Sequence, residues 1–525
     1  MTSRVHGKST GLEVKILDNK WILLPGTPDD DNRDYLPERI KGSDIVVNEN
    51  GNNSQPYPEK LTEYHEDLLQ DGQPGCWYEY IPDSYDGSKP VPLVLSMHGG
   101  LMTGWGQCIY TSWSLMAEQH GFIAVFPDAA KNRLWADEWG RWLYKNEESG
   151  EGTENIPPNL DASPDDIREN RDINFTCALV ERICEKYNID RGRIYMQGMS
   201  MGNMMSAMFA RHKGFLLAGA AGSACATFLS VLYDENGNIK NSAGPVPVFQ
   251  SRPERNNVPE DIELQKFVNR WNKYYWMKLD GCDPVPEISI VGENNFAFYK
   301  GDRGDVVYLD IKNRDHGQSF DDAALIWNYF FSGIRRNEDG SFERLESNLP
   351  RKGDAFSLAF AEGIGKAWHN NKVEKMPAKT LRWQKLKYHG LEGGAKVRGE
   401  YLCVPLRYLA EVFGAQYESQ RDNRMVRLTL SDGRVLQFAE GSIGCMIDTD
   451  LRSMYCEALY REGELLVPAA WFLQYLFNLQ VSECDGVLYA TDHFNVLSLY
   501  MADVLKEALE KDGDYPDYEG IGFAD

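Results

Sequence analysis

Gly198-Met199-Ser200-Met201-Gly202 fits the pattern G-x-S-x-G, with a strand-type segment, RIYMQ, running into it and a small-residue, Met-rich helical segment running out. That order predicts a strained strand-to-helix turn that lifts a serine hydroxyl clear of a sheet, where it can attack a carbonyl carbon. The following helix start would aim backbone N–H groups at the oxyanion that forms. A serine hydroxyl needs a base. Two histidines follow Ser200 in the same region. His212 lies twelve residues along the helix, about 18 Å away at about 1.5 Å per residue, which is out of reach. His316, in NRDHGQSF after the strand VVYLDIK, is therefore the expected base. The group that orients its imidazole should follow the strand PVPVFQ, where the chain reads SRPERNNVPED. Glu254 is the best-placed carboxylate, with Asp302, Asp305 and Asp261 as alternatives.

His98-Gly99-Gly100 ends the strand PLVLSM, where the second oxyanion donor of such a site belongs. The expected donors are the N–H groups of Gly100 and Met201, with His98 orienting the loop. Trp135, Trp139 and Trp142, in the insert after FIAVFPDAA, are expected to wall the substrate pocket. Met199, Met201, Met204, Met205 and Met208 read as core filler around the elbow helix. The histidines are isolated, and the chain has neither an HExxH motif nor a sequence-local Cys/His cluster. No metal site and no cofactor are expected.

The elements that must hold these residues start at Trp77. WYEYIP, VPLVLSM, FIAVFPD, RIYMQ, PVPVFQ and VVYLDIK read as strands; SWSLMAEQHG, INFTCALVERICEKYN and MGNMMSAMFARH read as helices between them. Strands alternating with long helices predict α/β class with a doubly wound, mainly parallel sheet covered on both faces. The nucleophile turn narrows this to the α/β-hydrolase fold. The helix DDAALIWNYFFSGI closes that domain near residue 336. Residues 1–75, rich in Asp, Asn, Gly and Pro, read as an extension or small β-lobe, and 337–372 as a linker wrapping back on the first domain. Over 373–492 a weak repeat appears: EYLCVPLRYLAEVFGAQY and, later, ELLVPAAWFLQYLFNLQV. Each copy runs strand, Val-Pro, short helix, then a residue suited to a left-handed cap (Gly414, Asn478). A helix and an acidic tail occupy 493–525.

A chain of 525 residues exceeds one hydrophobic core. Its formal net charge of −24 argues against a nucleic-acid partner, because phosphate binding needs clustered Lys and Arg. No segment has the roughly 18 apolar residues of a membrane span. The opening MTSRVHGKSTGLEV has no apolar core of a signal peptide, so the chain as written reads as cytoplasmic, and as secreted or cell-surface if its start was trimmed. Ten scattered cysteines fit reduced thiols.

WYEYIPDSYDGSKPVPLVLSMHGG, GFIAVFPDA and NRDINF…YNIDRGRIYMQGMSMGNMM together resemble the polyhydroxybutyrate depolymerase and feruloyl-esterase group of α/β-hydrolases over about residues 76–335. The resemblance implies a serine esterase with its triad on Ser200, His316 and an acid after PVPVFQ. It implies a small-molecule or carbohydrate-linked ester as substrate: feruloyl, acetyl or short polyester. Two positions depart from the group. Asn203 stands where a further Gly is usual, and SRPERN replaces its Gly-x-x-Asp loop. The segment 373–492 resembles a copper amine oxidase N-terminal-like domain, through VPLRYLAEVFGAQY and LVPAAWFLQYLFNLQV. No copper ligand set accompanies it. Such modules are structural, and a homo-oligomer contact is expected there. Two other functions fit the motif: a serine peptidase of prolyl-oligopeptidase type, and a hydrolase fold that has become an inactive binding or scaffolding protein.

Overall fold

The structure is a computed structural model. It describes residues 60–131, 133–138, 163–255, 261–314, 316–317, 319, 321–389, 394–511 and 514–516, with the strands Ile45–Val47 and Ser54–Pro56. The catalytic-type half is built on a ten-stranded sheet. Its elements in chain order are β1 Thr62–Glu66, β2 Gly75–Tyr80, β3 Val91–Met97, α1 Gly104–Tyr110, α2 Trp113–His120 and β4 Ile123–Pro127. There follow α3 Arg171–Lys186, β5 Ile189–Met199, α4 Met201–Lys213, β6 Gly219–Ser223, β7 Val248–Pro253 and α5 Ile262–Asp280. β8 Glu287–Val291, β9 Asn294–Tyr299, β10 Val306–Ile311 and α6 Asp322–Tyr329 complete it.

The strand order is β8-β9-β10-β7-β6-β5-β3-β4-β2-β1. The run from β4 to β10 is parallel, and β1, β2, β8 and β9 are antiparallel. The chain crosses back once, placing β3 between β4 and β5. This is the α/β-hydrolase arrangement, with the hairpin β8–β9 added at the far edge. Alternation along β3 explains the two layers. Leu93 and Leu95 face a core containing Ile173, Leu179 and Met196, while Val94 faces one containing Trp113, Tyr195 and Trp327.

All six strands expected from the sequence form. β6, GAAGS, has no β-type signature, because it is made of small residues that let α4 approach closely. A Cβ on Gly222 would lie 1.6 Å from Asn203 Oδ1. The sheet also begins earlier than residue 76, since β1 pairs with β2.

The second half is β-rich. Strands Ser357–Ala361, Lys366–His369 and Lys372–Lys375 join Gln480–Cys484 and Val487–Thr491 in one five-stranded antiparallel sheet. The stretch expected to be a linker thus supplies two strands of this sheet, besides Phe342–Arg344, which pairs with Ile334–Arg336, and the boundary drawn at residue 373 falls inside a sheet. The repeat is present. The strands ending in Val404-Pro405 and Val467-Pro468 pair with each other, Val404 opposite Val467. Each runs into a short helix closed by a left-handed residue, Gly414 at φ +61° and Asn478 at φ +53°. The final helix, Leu499–Lys511, packs between this five-stranded sheet and α5 with β9, so Met501, Val504, Leu505 and Leu509 share one core with Trp368 and Tyr489 on one side and Trp271, Tyr275 and Tyr299 on the other. No helix among the described residues is long and apolar enough to cross a membrane.

Candidate active site

β5 ends at Met199, and Ser200 takes φ 55° and ψ −118° before α4 begins. A non-glycine residue there is strained. The turn is held by Ser200 N donating to Ser223 O at 2.9 Å and by Met204 N donating back to Ser200 O at 3.2 Å. Its glycines answer to close backbone contacts. A Cβ on Gly198 would sit 1.9 Å from Gly202 O, and one on Gly202 would sit 2.2 Å from Met97 O. No side chain fits in either place.

His316 lies in the loop between β10 and α6, and its Nε2 is 2.9 Å from Ser200 Oγ. Burial lowers the pKa of this imidazole, so it is a neutral base at pH 7. With Nε2 accepting the serine proton, the ring's own proton sits on Nδ1. Nδ1 is buried and has no hydrogen-bond partner among the described residues.

Glu254 does not fill that place. Its Oε1 accepts from Lys312 Nζ at 2.7 Å and its Oε2 from Leu499 N at 3.1 Å. The carboxylate thus sits at the N-terminus of the C-terminal helix, where the unpaired N–H and the helix dipole favour a negative charge. The three alternatives are engaged or remote. Asp261 caps α5 by accepting from Leu264 N at 2.8 Å. Asp305 pairs with Arg344 and Arg351. Asp302 and Asp305 precede β10, whereas His316 follows it, which puts them at opposite ends of a strand roughly 20 Å long. Residues 256–260 and Asp315 lie outside the described residues.

Gly100 and Met201 come together: a Cβ on Gly100 would lie 2.8 Å from Met201 Sδ. Met201 is the first helical residue, so its N–H has no acceptor within the helix. The Gly100 loop is fixed from below by His98, which is fully buried. Its Nδ1–H donates to Gly99 O at 2.6 Å, and its Nε2 accepts from Ala129 N at 3.0 Å. Burial pushes this imidazole down to about 4, so it stays neutral and acts as a strut. Trp135, expected on the pocket wall, is also fully buried. It donates from Nε1 to His98 O at 2.8 Å, and thus supports the loop instead of lining open space. Trp139 and Trp142 lie outside the described residues.

Two participants had no sequence signal. Cys225 Sγ lies 3.9 Å from Ser200 Oγ. It is brought there by consecutive left-handed residues, Ala224 at φ 56° and Cys225 at φ 55°. Asn203 Nδ2 donates to both their carbonyls, to Cys225 O at 2.8 Å. This is what the asparagine does in place of the group's usual glycine. Burial pushes the Cys225 thiol up to about 11, so it remains protonated beside the serine. Asp322, buried at the start of α6, accepts from Ser223 Oγ at 2.7 Å and Ser319 Oγ at 2.6 Å. It ties the histidine loop to the end of β6.

No family model matches the chain. It is 22% identical over 241 residues to a bifunctional acetylxylan esterase/xylanase of Neocallimastix patriciarum, covering 45% of this chain and 30% of that protein. It is 24% identical over 263 residues to a feruloyl esterase B of Piromyces equi, covering 47% and 43%. A feruloyl esterase B of Neurospora crassa is 30% identical over 156 residues, covering 28% and 44%. The chain thus spans under half the length of these curated relatives. Among solved structures, an acetyl xylan esterase from Aspergillus awamori aligns with TM-score 0.35 at 14% identity, over 50% of this chain and 97% of that one.

Proposed function

We propose that this protein is a serine hydrolase that cleaves carboxylic esters through an acyl-enzyme. The observation that carries the reading is the 2.9 Å approach of His316 Nε2 to Ser200 Oγ on a strained elbow. The names of the similar proteins support the ester class. In this mechanism Ser200 Oγ bonds to the ester carbonyl carbon as its proton passes to His316 Nε2. The oxyanion lies between the Gly100 and Met201 amides. Collapse breaks the bond to the alcohol, which takes the proton from Nε2, and water then repeats the sequence on the acyl-serine. The substrate class we propose is a feruloyl or acetyl ester on a carbohydrate, or a short polyester. The C-terminal repeat is read as a structural module of copper amine oxidase N-terminal-like type.

The test is hydrolysis of p-nitrophenyl acetate, methyl ferulate and acetylated xylan beside an aminoacyl-naphthylamide. Ester turnover without amide turnover supports the reading. Amide turnover alone would move it to a peptidase, and neither, in folded protein, to a binding protein. The His316 Nδ1, without a partner among the described residues, favours this last alternative.

Two further outcomes follow from the geometry. kcat/KM should fall on the acid side with a midpoint below 6.5, the value of an ordinary imidazole, since burial lowers the His316 pKa. The sign is that of a base needed neutral: activity is full above the folded pKa and lost as pH drops through it. A pH–rate profile with its acid limb above 6.5 would contradict this. Glu254→Gln should keep ester turnover within about tenfold of wild type while lowering Tm, because it weakens a helix-terminus contact and an ion pair. A loss near 10⁴-fold, the order seen when a triad carboxylate becomes an amide, would return Glu254 to the triad.

A further inference from the structure

Glu63 and His65 are two residues apart on β1 and so project from the same face. In the antiparallel register His65 lies directly opposite Cys76 on β2, whose side chain leaves on that face too. Glu63 Oε1 is 2.7 Å from His65 Nε2, and Cys76 Sγ is 3.9 Å from the same nitrogen. The three atoms lie within 4.8 Å of one another. The other face of the hairpin is locked by Tyr64 stacked on Trp77, with centroids 5.6 Å apart, and by the Lys186 ammonium 3.7 Å from the Tyr64 ring centre. Three donors are thus placed on a rigid element before any ligand arrives.

We propose that Glu63, His65 and Cys76 bind one zinc ion, with water as the fourth ligand. A thiolate, an imidazole and a carboxylate form the mixed set that a borderline-soft divalent cation takes, whereas magnesium and calcium demand oxygen throughout. Bonds of about 2.0–2.3 Å in a tetrahedron hold ligand atoms roughly 3.3–3.7 Å apart. The gaps of 2.7 and 3.9 Å bracket that range, so small side-chain rotations suffice. On binding, the Cys76 thiol gives its proton to solvent. His65 Nε2–H, which donates to Glu63 in the metal-free protein, gives its proton to solvent while Nδ1 takes one up, so the ring stays neutral, Nε2 offers its lone pair to the metal, and the Glu63 carboxylate binds the same ion.

His65 is 57% exposed along its side chain and Glu63 24%, which leaves room for metal entry and for the water. β1 is the outer strand of the main sheet and β5 lies four strand steps inward, roughly 19 Å at about 4.8 Å per step. The ion is therefore structural. It clips this edge strand to its neighbour, and an edge strand is open to fraying or to pairing with another chain.

The test titrates the full-length protein with Co²⁺ as a spectroscopic probe and then with Zn²⁺. One equivalent of Co²⁺ should raise a thiolate-to-cobalt charge-transfer band, and Zn²⁺ should abolish it. Cys76→Ser should lose the band, and His65→Ala should weaken binding by more than about 100-fold, the upper range for loss of a mere supporting contact. Zn²⁺ should raise the Tm of wild type but not of Cys76→Ser. Far-UV circular dichroism of both variants should match wild type, which separates loss of the site from loss of the fold. No band in the wild type, or an equal band in Cys76→Ser, overturns the site.

Discussion

Ser200→Ala should lose all labelling by a fluorophosphonate probe and lower ester turnover by roughly 10⁴-fold or more, and His316→Ala should fall to the same floor. The size follows from the geometry. Ser200 Oγ and His316 Nε2 are 2.9 Å apart and act as one unit, so the double variant should be no worse than either single one. What remains would come from the oxyanion amides alone. Cys225→Ser is the control that the site demands, because its thiol stands 3.9 Å from the proposed nucleophile. The buried thiol, held up at about 11, is mostly protonated at neutral pH, so this variant should still be labelled. Labelling that survives Ser200→Ala but vanishes with Cys225→Ser would move the nucleophile to the cysteine. Wild type that is folded but never labelled would end the hydrolase reading.

A chain stopped at residue 336 should not fold into a soluble hydrolase domain, although the fold's last helix is already complete. The final helix carries charge partners for the interior. Lys273, with only 4% of its side chain exposed, pairs with Glu507, and Arg270 with Asp503 at 2.8 Å. Tyr500 donates to Gln265 at 2.6 Å, and its ring lies 5.1 Å from the buried Arg252 guanidinium. Stranding one buried charge costs about 3–5 kcal/mol, against a total stability of about 5–15 kcal/mol for a domain. Several such partners and an apolar face leave together. Expression as inclusion bodies, or no cooperative transition by circular dichroism, is the expected result. A soluble fragment that unfolds cooperatively and is labelled at Ser200 would show the two halves to be independent. The same contact explains the fate of Glu254: its carboxylate sits at the Leu499 amide, where the returning chain needs an acceptor.

Much of this was legible in the chain. The elbow could be read because strand, glycine-flanked serine and helix are consecutive, so local sequence carries the whole device. His316 could be read because helix rise excludes His212 and strand order leaves one loop. The parallel sheet was visible in the apolar runs between helices. Features that depend on partners far apart in sequence were not. GAAGS forms a central strand only because α4 packs on it. The strand Ser357–Ala361 enters its sheet beside Val487–Thr491, which returns about 130 residues later. Glu254 is in the right loop for a triad acid, yet the C-terminal helix arriving 245 residues later takes its carboxylate.

By itself, then, the sequence determined the strand–serine–helix turn, the histidine that meets it, the Gly100 loop beside it and the sheet that carries them, because each follows from residues adjacent along the chain or from one exclusion by distance. Tertiary structure decided that the C-terminal helix takes the Glu254 carboxylate, that Cys225 stands beside the serine, and that Glu63, His65 and Cys76 meet on one face. Hydrogen-bond competition and strand register act across space, and neither leaves a spacing to read.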